Sequence, residues 1–253
     1  MKNLKRTDLA CERDIRLQSD YHITVEDIYG IEAICSYHKL EPHKKNIILP
    51  VGRVWLYNDE IKRNAALAIA NRLKFLKSNI RPESQRVLIV GLGNKHITSD
   101  SLGTLVIDEL FPTSAIKEYK SKIFTISPGI EGQSGISTFD AINSAAHITS
   151  AEVLLVIDSL CAHNIDRLLT TVQLSTEGIM PGSGVGNHKK EISYATVGIP
   201  IISIGVPTVT DIGPNNDNSD SGFNYYVSPY DIDLSLKGIS KIIAKAVENA
   251  FYL

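Results

Sequence analysis

Apolar, β-branched runs alternate with stretches of helical spacing through the middle of the chain. Residues 87–91 (VLIVG), 122–127 (KIFTIS) and 153–158 (VLLVID) read as strands. Between them, 99–110 and 138–148 carry apolar positions at helical spacing. This βαβαβ order implies right-handed crossovers and a mostly parallel, twisted sheet covered by helices on both faces, an α/β fold. Ahead of it, Asn58 to Leu76 predicts a helix capped by Asn58 or Asp59. Its apolar stripe is Ile61, Ala65, Ala68, Ile69, Leu73 and Leu76.

The flanking regions are less regular. Residues 1–45 are polar and mixed, read as an arm with a short strand at 31–36. Residues 46–57 (NIILPVGRVWLY) read as a strand interrupted at Pro50-Val51-Gly52. A short helix is expected after Asp158, then a strand at 168–174, the glycine-rich loop PGSGVGN (181–187), and a last buried strand at 199–207. Residues 213–222 (GPNNDNSDSG) read as a flexible polar connection. A C-terminal helix, 228–253, is expected to start with Ser228 as N-cap, Pro229 at the first helical position and Asp231 as the capping-box partner. No repeat is seen, and a single α/β domain over 1–253 is the simplest organisation.

Composition narrows the class. The 43% hydrophobic and 21% charged residues fit a globular chain, and a net charge of −2 argues against a broad nucleic-acid footprint. No apolar run reaches the ~20 residues of a bilayer span, and the polar N-terminus lacks the apolar centre of a signal peptide. Cys11, Cys35 and Cys161 are too few and too scattered for a disulfide framework or a CxxC metal site. The expectation is a reduced, cytoplasmic protein.

The candidate chemistry lies in two aspartates. In an open parallel sheet, ligands bind at the carboxyl ends of the strands, and VLIVGLGNKHITSD and VLLVIDS each deliver an aspartate there, Asp100 and Asp158. Asp100, after Thr98 as N-cap, taken alone is an ordinary first-turn acid. Asp158 closes an all-apolar run, where a carboxylate is costly to bury and stability alone does not explain it. GLGN (91–94) has histidine where a dinucleotide fingerprint needs its third glycine, at 96; its backbone amides are better suited to a substrate backbone or oxyanion. PGSGVGN lacks P-loop spacing. GQSGI (132–136) fails the nucleophile-elbow pattern, and the seven histidines show no HExxH arrangement. Cys161 has no assignable partner histidine, and a buried structural thiol is the commoner outcome.

In order along the chain, RTDLA (6–10), VGLGN and TSDSLG (90–103), SPGIEGQSGI (127–136), VIDSL (156–160), TTVQLSTEGIMPGSGVGN (170–187) and IGVPTVTD (204–211) resemble the germination protease family, here as a short-form member. The resemblance implies an endopeptidase that starts the degradation of small acid-soluble spore proteins in the forespore or spore core. It also implies a fold similar to hydrogenase maturation proteases, homo-oligomers that are tetramers in the family, and an atypical aspartic-type mechanism. No cofactor, metal, direct nucleic-acid contact or membrane is implied. The family's two essential aspartates fall on Asp100 and Asp158. Gly91, Gly93, Asn94, Gly182, Gly184 and Gly186 are candidates to hold the substrate or its oxyanion. The family's self-processing site falls on Asp8–Leu9, within Thr7-Asp8-Leu9-Ala10, making residues 1–8 a propeptide.

The chain departs from the family pattern in its length, in residues 21–49, and at Leu169, Thr176, Glu177 and Met180. Two carboxylates in one cleft would share a proton, one activating water and the other protonating the leaving group. Asp100 suits the base role and Asp158 the acid role. A cation should receive the acidic residue before the scissile bond, with Arg53, Arg167, Lys189 and Lys190 as candidates. Two alternatives stay open: a metal-dependent maturation-type peptidase or phosphorylase-like hydrolase, and a non-catalytic binding descendant.

Overall fold

Strand pairing organises the chain. The structure, a computed structural model, describes residues 20–182, 190–212 and 225–252. Its elements are β1 (Tyr21–Ile28), β2 (Ile31–His38), β3 (Lys45–Pro50), α1 (Asp59–Ile80), β4 (Arg86–Gly91), α2 (Leu102–Glu109), β5 (Lys122–Ile126), α3 (Glu131–Ser134), α4 (Thr138–Thr149), β6 (Val153–Ala162), β7 (Thr171–Ser175), α5 (Tyr194–Val197), β8 (Ile201–Asp211), β9 (Tyr226–Val227) and α6 (Ile232–Phe251). One nine-stranded sheet runs in the order β1-β2-β3-β7-β8-β6-β4-β5, with β9 on the end of β8.

Helices cover both faces, as the βαβ pattern predicts. Side chains of α1, α2 and α6 pack on Val87, Ile89, Leu155, Ile157, Ile202 and Ile204. On the other face α4 places Phe139, Ile142 and Ala146 against Leu88, Val90, Leu154 and Val156. Adjacent residues of β4 and β6 therefore enter opposite cores, which is why both strands read as unbroken apolar runs.

The sheet is mixed. Parallel pairing is confined to β5-β4-β6-β8, whereas β1-β2-β3-β7-β8 and β8-β9 pair antiparallel. The polar N-terminal region holds a full hairpin rather than one short strand; its turn, Tyr29-Gly30, takes positive φ at both residues, the geometry that matches strand twist. β6 does not stop at Asp158 but runs to Ala162, because β8 is long enough to pair with it as far as Thr210. No helix follows immediately; a single 3₁₀ turn at Ile165–Arg167 does. α1 starts as predicted, Asn58 accepting from the Ile61 N–H at 3.0 Å, and runs on to Ile80. α6 begins at Ile232 rather than Pro229. Its N-cap residue, Asp231, makes no side-chain cap bond; its Oδ2 pairs with Arg53. Among the described residues no helix is long and apolar enough to cross a membrane. Asp8, Leu9, Gly184, Gly186, Lys189 and the 213–222 connection lie outside the described residues.

Candidate active site

The turn after β4 is built around one glycine and one aspartate. β4 ends at Gly91, opposite Ile157, and the next N–H, of Leu92, still donates to Ile157 O at 2.8 Å. The chain then reverses through Gly93 at φ 108°, where a Cβ would lie 1.9 Å from the Asp100 carbonyl oxygen. Only glycine fits that position. Asp100 closes the loop, its Oδ2 accepting the Asn94 N–H at 2.9 Å. Asn94 is itself buried, and its Oδ1 accepts from the His96 N–H and from Gln133 Nε2. Asp100 ends a 3₁₀ turn, Thr98–Asp100, so it precedes α2 instead of occupying its first turn. Thr208 of β8 holds that turn from below, donating to Ser99 O at 2.6 Å.

Behind this loop α2 presses unusually close to the sheet. A Cβ on Gly103 would meet Leu92 O at 2.4 Å and Ile157 O at 2.5 Å; one on Gly91 would meet Gly103 O at 2.2 Å. Gly91 is thus a packing glycine, not among the residues that line the site.

Asp158 arrives from β6. It is the first β6 residue beyond the end of β4 and pairs with Gly205 of β8. Its exposure is 6%, and its Oδ1 accepts the Ser159 N–H at 2.9 Å. Asp100 and Asp158 line one cavity of about 660 Å³. The strand therefore does not end at Asp158, but its neighbour β4 does, and that opens the space.

Of the other candidates, Gly93, Asn94 and Gly182 line this cavity. The Asn94 N–H is already committed to Asp100. The cation candidates among the described residues are elsewhere: Arg53 pairs with Asp231 and lies over Trp55, and Lys190 lies over the Phe139 ring, 3.6 Å from its centroid. Arg167, in the 3₁₀ turn after β6, is likewise not among the lining residues. Among the described residues, the lining contributes four carboxylates (Asp100, Asp158, Glu177 and Glu191) and no lysine, arginine or histidine. No three described metal-ligating side chains come together as a metal site.

Sequence reasoning missed the polar floor. Gln173 and Ser175 of β7 and Ser203 and Thr208 of β8 are all buried and all line the cavity. Their signal was present: each interrupts an apolar strand with a polar residue, the argument that singled out Asp158. The Ser159 hydroxyl is buried beside Asp158 with no hydrogen-bond partner among the described residues. Cys161 is 2% exposed in the same wall.

Residues 43–221 match the family model for germination proteases. The chain belongs to the germination protease family. A germination protease of Clostridium acetobutylicum is 33% identical over 83% of this chain and 71% of its own length. One from Bacillus pumilus is 40% identical over 81% of this chain and 63% of its own. One from a Geobacillus strain is 45% identical over 53% of this chain, a match that spans only 38% of the relative. The chain thus spans between about two fifths and two thirds of the first curated relatives it matches. A [NiFe] hydrogenase maturation protease from Thermococcus kodakarensis superposes with a TM-score of 0.42 at 15% identity, over 68% of this chain and 97% of that one.

Proposed function

We propose that the chain is an endopeptidase that cleaves small acid-soluble spore proteins through an Asp100–Asp158 pair. The observation that carries this reading is the convergence of both carboxylates, one from the β4–α2 turn and one from β6, on a single cavity. Peptide hydrolysis needs one group to take a proton from the attacking water and another to give one to the leaving nitrogen. Asp158, the more buried, takes the acid role. Asp100, the more exposed and held by the Asn94 N–H, takes the base role. It draws a proton from water as the oxygen attacks the carbonyl carbon; the C–N bond then breaks as Asp158 protonates the nitrogen. Gly93 and Gly182 amides are the candidates to face the oxyanion.

The same reading includes self-processing at Asp8–Leu9, release of residues 1–8, assembly into a homo-oligomer, and a forespore location. Incubating the protein with a small acid-soluble spore protein, with and without chelator, tests it. Site-specific cleavage that survives chelation is expected. Asp100→Asn and Asp158→Asn should each lower the rate by about 10²-fold or more. Either variant cleaving at the parental rate removes the dyad, and loss of activity on chelation favours the metal-dependent alternative.

A further inference from the structure

Asn94 meets the cavity with one polar group still unused. Its N–H is committed to Asp100 Oδ2, and its Oδ1 accepts two donors, the His96 N–H at 3.0 Å and Gln133 Nε2 at 2.9 Å. A backbone N–H can only donate, so the side-chain atom facing His96 must be the amide oxygen. That fixes the side-chain nitrogen, Nδ2, on the opposite branch, and among the described residues it has no acceptor. Asn94 is 7% exposed and lines the cavity with Asp100 and Asp158. Nδ2 is not one of the atoms sealed away without a partner, so its two hydrogens are open to the cavity. Gln133 reaches Asn94 from α3, a single turn set between Gly129 and Gly135, both at positive φ. Gln133 is exposed, so burial does not fix its side chain; the bond to Asn94 does.

We propose that Asn94 is a further catalytic residue, its Nδ2 donating to the carbonyl oxygen of the cleaved bond, and that Gln133 is the positioning residue that aims it. The proposal rests on the peptidase reading and deepens it. As the water oxygen bonds to the carbonyl carbon, the C=O π pair moves onto the carbonyl oxygen. Nδ2 donates a hydrogen bond to that oxyanion and keeps its proton; when the C–N bond breaks, the oxygen re-forms the carbonyl. A donor held in place before the reaction stabilises the developing charge without having to reorganise. Among the described residues the cavity wall offers no lysine, arginine or histidine for this task. An amide whose oxygen is engaged twice presents only its N–H groups, and it adds a side-chain donor to the backbone amides of Gly93 and Gly182.

The test measures kcat and KM on a small acid-soluble spore protein, and calorimetric binding of a peptide copying residues 4–12 with a phosphinate, a tetrahedral anion, in place of the Asp8–Leu9 amide. Asn94→Asp keeps an oxygen for His96 and Gln133 and loses the donor. It should lower kcat by about 10²–10³-fold while KM stays within about twofold, the mark of an interaction made only in the transition state. Gln133→Met should lower kcat by about tenfold through misplacement of Asn94, and Gln133→Lys, which can donate to Oδ1 again, should restore it. Affinity for the phosphinic peptide should fall in Asn94→Asp and, less, in Gln133→Met. A parental kcat in Asn94→Asp, or a loss carried by KM, overturns the Asn94 assignment; a parental kcat in Gln133→Met overturns the positioning role. If circular dichroism shows Asn94→Asp unfolded, Gln133→Met, changed only at an exposed side chain, decides the matter. If the parent cleaves nothing, phosphinate binding that still falls in both variants sustains the donor and overturns the peptidase reading; binding that is absent or unchanged overturns both.

Discussion

Adding a single methyl group at Gly103 should disable the site from behind. The Cβ of Gly103→Ala would sit 2.4 Å from Leu92 O and 2.5 Å from both Leu92 N and Ile157 O. These are backbone atoms of β6 and of the residue just after β4, so no rotamer change makes room. α2 must withdraw by roughly 1 Å to approach ordinary contact near 3.5 Å. Overpacking of this kind costs about 1–3 kcal/mol, and rigid neighbours place it near the top of that range. For a domain of this size, ~3 kcal/mol lowers the melting temperature by about 6–12 °C. Asp100 lies just ahead of α2 and moves with it, and a misplacement of about 1 Å costs on the order of 10²-fold in rate. Thermal unfolding by circular dichroism and kcat/KM on a spore protein report the two effects. The control is Gly132→Ala, in α3, where a Cβ meets nothing within 4 Å; it should be neutral or slightly stabilising. If Gly103→Ala melts and cleaves like the parent, the close approach of α2 does not position Asp100.

Two further outcomes follow from contacts at and away from the cavity. Thr208→Val removes the hydroxyl that Thr208 gives to Ser99 O at 2.6 Å; it should cost about 1–3 kcal/mol and lower kcat more than it changes KM, and the reverse split would refute a positioning role. The Glu152 carboxylate, held below its ordinary value of 4.5 chiefly by the Gln85 and Arg86 N–H groups, contributes stability that is fully present above that value and is lost as pH falls through it toward the lower folded value. Urea midpoints of Glu152→Gln should therefore lie below the parent's at neutral pH and converge with them in acid; parallel curves would show that these two bonds do not favour the charged form.

The parts legible in the sequence were those with one dominant requirement. β4 and β6 are buried on both faces, so their apolar runs stood out, and α1 announced itself through Asn58 and its stripe. β1 was not legible because YHITVEDI is an edge strand, with Ile23 and Val25 exposed while Thr24 and Glu26 are partly covered. Its alternation is opposite to that of a strand with its apolar side in the core. The start of α6 was misplaced because Ser228-Pro229 has good capping chemistry, whereas the helix begins only at Ile232, after Asp231, which is engaged in a tertiary ion pair with Arg53. Asp158 is buried in the cavity wall, but in a strand geometry that differs from the one expected. Burial of a carboxylate marked it, but the end of β4, a property of another segment, creates the opening beside it.

The position of β8 sets a condition on when this cavity can exist. The sheet consists of two flanks, β1-β2-β3-β7 and β6-β4-β5, joined only through β8. Every strand of both flanks is synthesised before Ile201 leaves the ribosome. A nascent chain ending there already carries Asp100 and Asp158, yet it has two open strand edges, on β7 and β6, and lacks Ser203, Gly205 and Thr208 from the cavity wall. Such edges are adhesive and short-lived in a folding chain. Insertion of one late strand thus seals the sheet and supplies the β8 side of the cavity together, so the cavity cannot precede closure of the fold.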